Sequence, residues 1–137
     1  VLITEAHAAL KYRGLVVRGL FAFGTLGDAA RISTRQGQTI GSQVLGGYAE
    51  AGFDLMTLLS PGSEMELSPF LRFEGFNLHN AVAAGLTRDP LVNAQSITAG
   101  ASFRPITTVV VKADVTQRWT VGAAGATAIN LGVGFVY

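Results

Sequence analysis

The side chains able to do chemistry are few: two histidines, nine carboxylates, ten Lys and Arg, and no cysteine in 137 residues. Glu5 and His7, two apart, share a face of an extended chain and could seat a metal ion. No third ligand stands at a recognisable spacing, and His79 falls in a stretch that reads as a loop. The chain contains no Gly-x-Ser-x-Gly elbow, phosphate loop or His-Glu-x-x-His. Neither histidine has an Asp or Ser partner at triad-like spacing, so neither an enzyme nor a cofactor is expected.

The remaining charges are spread through the chain but recur at alternate positions within each run: Glu5 and Lys11; Arg18; Glu50 and Asp54; Glu66, Arg72 and Glu74; Arg104; Lys112, Asp114 and Arg118. In extended chain, residues i and i+2 point the same way, so each set shares a face. The opposite parity is free of charge, as in Val17, Gly19, Phe21 and Phe23, or Ile129, Leu131, Val133, Phe135 and Tyr137. Arginine on a lipid-facing strand position costs about 2–4 kcal/mol at the bilayer midplane, so a membrane strand must segregate charge in this way. That parity makes Val111 and Ala99 intolerant of arginine and Thr98 permissive.

The elements that must position these residues are seven alternating segments: 2–12, 15–24, 45–56, 66–77, 95–104, 108–118 and 128–137. Each is near the ~9–11 residues of a tilted membrane strand and longer than the usual soluble strand. Shorter connections are expected at 13–14, 57–65 and 105–107, and longer ones at 25–44, 78–94 and 119–127. Short turns at one end and longer loops at the other is the up-and-down pattern of outer-membrane barrels. Within the first long loop, Asp28 and Arg31 to Arg35 could form a short amphipathic helix or fold into a pore, with an exposed surface loop as the default.

Composition narrows the class further. With 49% hydrophobic and 14% charged residues, 17 glycines and 4 prolines, the chain is neither disordered, collagen-like nor disulfide-stapled. A net charge of +1 gives no sequence-wide basic excess, so no nucleic-acid partner is expected. Mean hydropathy is high at +0.39, yet polar residues or glycines break every apolar run before the ~18–20 residues of a spanning helix. The charge-free stretch 119–137 has the length but contains four glycines and ends in a period of two. The chain begins at Val1 without a basic or apolar leader, and is expected to be a segment of something longer.

A soluble β-sandwich or lipocalin-like binding protein also alternates apolar with polar residues. Against it stand only two lysines in the whole chain and small residues such as Gly52, Gly100, Ser102, Gly132 and Gly134 among the charges. Aromatic residues also collect near segment ends, at Tyr12, Phe23, Phe103 and Tyr137, where interface girdles sit. An outer-membrane enzyme barrel would need a histidine partnered at the loop rim. The fold expected is therefore all-β: seven strands, residues 1–137, forming the C-terminal part of one antiparallel up-and-down transmembrane β-barrel. Seven is odd, so the first and last strands run the same way and the missing strands are expected before Val1.

Several phrases also resemble a known family: Glu5-Ala6-His7, Tyr12-Arg13-Gly14, Arg18-Gly19-Leu20-Phe21-Ala22, Gly47-Tyr48-Ala49-Glu50-Ala51-Gly52-Phe53-Asp54, Leu67 to Glu74, Phe103-Arg104-Pro105, Val110 to Asp114 and the ending Asn130 to Tyr137. Together they resemble the C-terminal part of Gram-negative porins of the phosphate-selective porin O and P type. The resemblance implies the last strands of a barrel of 16 or 18 strands, a homotrimer in the bacterial outer membrane, and contact with outer-membrane lipid and its assembly machinery. It implies passive diffusion of small hydrophilic solutes or ions, including anions such as phosphate. Under that reading the pore lining is Glu5, His7, Lys11, Arg18, Glu50, Asp54, Arg72, Glu74, Arg104, Lys112, Asp114 and Arg118. Arg72 and Lys112, both mid-strand, are the expected solute contacts.

Overall fold

The computed structural model describes residues 1–135. Seven strands form one antiparallel sheet in sequence order: β1 Leu2–Tyr12, β2 Leu15–Thr25, β3 Gly41–Phe53, β4 Glu66–Val82, β5 Asn93–Ile106, β6 Val109–Thr120 and β7 Ala123–Phe135. Every strand pairs with its sequence neighbour, which makes the sheet up-and-down throughout. β1 and β7 each pair on one side only, so the sheet is not closed. A helix α1, Ala29–Gln36, lies between β2 and β3, and a single turn α2, Met56–Leu59, lies between β3 and β4. Of the readings weighed for residues 28–35, the helix is the one the chain adopts, and Gly37 ends it in the left-handed conformation at φ 67°.

The strand positions follow the sequence pattern, while several boundaries move. β3 begins four residues earlier than expected and stops at Phe53, where Met56 enters α2. β4 extends five residues past Asn77, which puts His79 in a strand and not in a loop. The expected long connection at 119–127 is only Val121 and Gly122, because Gly122 at φ 83° supplies the reversal and residues 119–120 and 123–127 continue the ladder. At one end of the sheet the connections are therefore 13–14, 54–65 and 107–108; at the other they are 26–40, 83–92 and 121–122. The expected contrast in length holds only for 26–40, since 83–92 is shorter than 54–65 at the opposite end and 121–122 is a tight turn. Arg13 and Gly14, at φ 47° and 87°, both take the positive φ that a tight type I′ hairpin needs.

No large side chain is fully buried; the buried hydrophobic residues among those described are Ala29 and Ala94. The accessible surface is 9127 Å², whereas a compact monomer of this mass exposes about 6,800 Å². The excess arises because one sheet, with neither face covered by a second layer, cannot enclose a core.

Candidate functional site: a paired-charge face and an apolar face

Strand register turns the alternate charges into rows across the sheet. Arg18 pairs opposite Glu50, Glu50 opposite Arg72, and Arg72 opposite Thr98. Glu50 thus sits between two guanidinium groups, 3.5 Å from Arg18 and 3.8 Å from Arg72, and its side chain is only 16% exposed. Arg72 Nε also lies 2.9 Å from Glu74 Oε2, although its N–H is turned away from hydrogen-bond geometry. The row ends in a hydroxyl pair, Thr98 Oγ1 to Thr116 Oγ1 at 2.8 Å.

Nearer the end that carries residues 54–65, Arg104 donates to Glu66 at 2.7 Å, and Ser68 donates to the other Glu66 oxygen at 2.9 Å. Lys112 Nζ lies 3.7 Å from Asp114, which accepts from Asn130 Nδ2 at 2.7 Å and is 10% exposed. These cross-strand and i,i+2 pairs leave little unbalanced charge in each row.

Three rings share this face and were missed by a reading that followed charges alone. Arg72 stacks 3.9 Å over the Tyr48 ring, Lys112 lies 4.5 Å over Phe70, and Arg118 lies 5.2 Å over Phe76. The signal was available, since residues 48, 70 and 76 have the parity of the charges on their strands. Gly52 and Gly46 stand opposite Phe70 and Phe76; a Cβ there would come within 3.3 and 3.4 Å of the two Cβ atoms.

The expected site residues are not all equivalent. Arg18, Glu50, Arg72 and Glu74 form one connected network, and Lys112 with Asp114 another. Arg104 pairs with Glu66, which the charge parity had placed beside it. Arg118 and Lys11 have no carboxylate within ion-pair distance among the described residues. Asp54 stands apart from the rows: it lies past the end of β3, and its Oδ1 accepts the Met56 and Leu67 N–H groups at 3.1 Å, fastening the α2 connection. Glu5 and His7 meet at 2.9 Å on the edge strand, and among the described residues no third metal-ligating group joins them. Thr98, expected to be permissive, is buried opposite Arg72 on the charged face.

The other face is apolar and uncovered. Phe21 is 55% exposed, Leu71 57%, Ile129 76% and Leu131 82%. On β5 the apolar positions run from Phe103 to Ile97, followed by Gln95 and Asn93; on β4 they run from Leu67 to Phe73, followed by Gly75 and Asn77. On β6 and β7 the change comes one pair earlier, where Gln117 pairs opposite Ile97 on one side and Thr127 on the other, and Trp119 follows opposite Gln95. The polar residues thus form a stepped rim beside the apolar band.

At the end bearing residues 26–40 and 83–92, a cavity of about 710 Å³ is lined mainly by apolar side chains, among them Ile3, Leu26, Val44 and Leu78, with His79 and Asp89 on its wall.

No family model matches the chain, and no curated protein or solved structure is detectably similar to it.

Proposed function

We propose that this chain contributes seven strands to a transmembrane β-barrel of the bacterial outer membrane, whose charged face lines a passive diffusion channel for small hydrophilic solutes or ions. The observation that carries the reading is the inverted placement of side chains. Glu50 and Asp114 are largely covered by their partners, while on the opposite face Ile97 and Val111 are 41% exposed and Leu131 82%. In water such an uncovered face is unfavourable by about 25 cal/mol per Å², and hydrocarbon removes that cost. The apolar band spans seven residues on β5, Ile97 to Phe103, about 20 Å along the strand, which at the ~35–45° tilt of outer-membrane barrels covers about 15 Å of their ~25 Å lipid-facing band.

The two open edges support the same reading. β1 and β7 run in the same direction, so antiparallel closure requires an odd number of further strands. A second copy in the same membrane orientation would bring β7 beside β1 in parallel, and does not meet that need. The sequence phrases that resemble the phosphate-selective porins agree with this architecture; the trimer, the assembly-machinery contact and an anion preference are part of the proposal on that ground. A charged wall of both signs would hold water and exclude apolar solutes.

Reconstitution into planar lipid bilayers of the longer protein that supplies the closing strands tests the reading. Stepwise conductance and extraction only by detergent are expected. A monomer that stays soluble in buffer without detergent and produces no conductance would refute it.

A further inference from the structure

We propose that His79 is an acid-sensitive clasp: while neutral it ties the connections 26–40 and 83–92 together beside β4, and protonation releases 83–92. This inference stands on loop geometry and not on the channel reading. The His79 residue is 7% exposed and both ring nitrogens are engaged. Nδ1 accepts the Asp89 N–H at 2.9 Å, which places the ring proton on Nε2, where it is donated to the Thr39 carbonyl at 3.2 Å. One imidazole therefore bridges both longer connections, and only its neutral Nε2–H form satisfies both bonds.

The surroundings make each bond consequential. Gly41 approaches β4 so closely that a Cβ would overlap the Leu78 carbonyl oxygen, which brings Thr39 within reach of the ring. Ser33 Oγ accepts the Ile40 N–H at 2.9 Å and donates to the Ala29 carbonyl at 2.7 Å, so movement at Thr39 is passed to α1. On the other side, the Asp89 carboxylate accepts the Leu91 N–H at 2.9 Å and starts the 3-10 turn Pro90–Val92.

Adding a proton to Nδ1 sets two N–H donors against each other and strands the Asp89 amide. The Asp89 carboxylate is the anion on the same cavity wall, and its Oδ1 is engaged by the Leu91 N–H. The other charged groups on the packed elements are Asp28 and Arg31, paired with each other at 2.9 Å, and the exposed Arg35 and Arg88; the Val1 amino group is the remaining titratable group on the cavity lining. The residues of β3 and β4 nearest the ring, Gln43, Asn77 and Asn80, are uncharged. Both bonds are thus complete only with the neutral Nε2–H ring; a proton on Nδ1 removes the one from Asp89 and leaves Nε2–H donating to the Thr39 carbonyl.

The test is amide hydrogen exchange on the full chain in lipid or detergent, corrected for the intrinsic pH dependence of exchange. The Asp89 N–H should lose at least tenfold of its protection between pH 7.5 and pH 5. His79→Gln, whose amide can accept from Asp89 and donate to Thr39 without titrating, should flatten that profile, and His79→Phe should leave Asp89 unprotected at both pH values. Protection of Asp89 that is independent of pH in the unaltered chain would overturn the clasp, and so would an unchanged pH dependence in His79→Gln. Imidazole nitrogen shifts of the unaltered chain give a second check: an Nδ1–H tautomer at neutral pH contradicts the proposal even where a variant fails to fold.

Discussion

Neighbouring residues on β7 offer the sharpest perturbation, because Asn130 and Leu131 differ in face and in little else. Leu131 is 82% exposed on the apolar face, opposite Ala113, whereas Asn130 donates to Asp114 at 2.7 Å on the charged face. Leu131→Arg should cost about 2–4 kcal/mol for the charge near the midplane, with up to about 1.5–3 kcal/mol more for lost apolar contact. Asn130→Arg places a cation opposite Asp114, and its net effect should stay within about 1 kcal/mol. Since 1.4 kcal/mol is about a factor of ten, the folding constants of the two variants should differ by at least about fivefold, and by up to about 10⁵-fold when the full apolar contact is lost as well. Denaturant titration of the lipid-reconstituted protein, followed through the fluorescence of Trp119, reads this difference. Equal losses for both variants, or a larger loss for Asn130→Arg, would refute the assignment of faces.

Three further outcomes are expected. Glu50→Gln removes the carboxylate between Arg18 and Arg72 and should lower stability by about 1–3 kcal/mol, read as a shift in denaturant midpoint that shrinks with added salt. Replacing Arg72 and Lys112 by Glu should move reversal potentials in a salt gradient toward cations, and Arg118→Gln should shift them more per charge removed, because Arg118 has no carboxylate partner among the described residues; unchanged potentials would take these side chains out of the permeation path. Deleting Phe135 to Tyr137, of which residues 136 and 137 lie outside the described part, should leave protease-sensitive, unassembled chains, checked by the absence of a heat-modifiable band on electrophoresis.

Alternation by two was legible because it follows directly from extended backbone: a charge at Arg18, Arg72 or Lys112 fixes the orientation of the whole strand around it. Strand ends were less legible, because they are decided by contacts across the sheet. β4 continues to Val82 through irregular pairing with β3, where Gly41, Gln43 and Leu45 meet Val82, Ala81 and Asn77, and no local pattern announces it. His79 consequently looked like a loop residue, although its role depends on Thr39 and Asp89, which approach it only in the folded chain. Asp54 had the correct parity and a different use, since an Asp just beyond a strand end competes for backbone amides. The rings under Arg72, Lys112 and Arg118 were hidden by following charges alone, although parity places Tyr48, Phe70 and Phe76 with the charges.

The pairing pattern also bears on how such a wall would act on passing ions. Arg18, Arg72, Arg104 and Lys112 each have a carboxylate within 4 Å, so much of their field is cancelled over a distance shorter than the ~8 Å Debye length at physiological salt. A solute several ångströms from the wall would meet dipoles in these rows more than net charge. Arg118 differs: it rests on Phe76, opposite Ser96 and Ala126, and its charge is uncompensated among the described residues. An aromatic support holds a guanidinium in place without neutralising it, whereas a carboxylate does both. Under the channel reading, preference between anions and cations would therefore depend less on the number of basic residues facing the lumen than on which of them lack a carboxylate. By that criterion Arg118 and the edge-strand Lys11 come before Arg72 and Lys112 as the side chains of this segment expected to act on a passing anion.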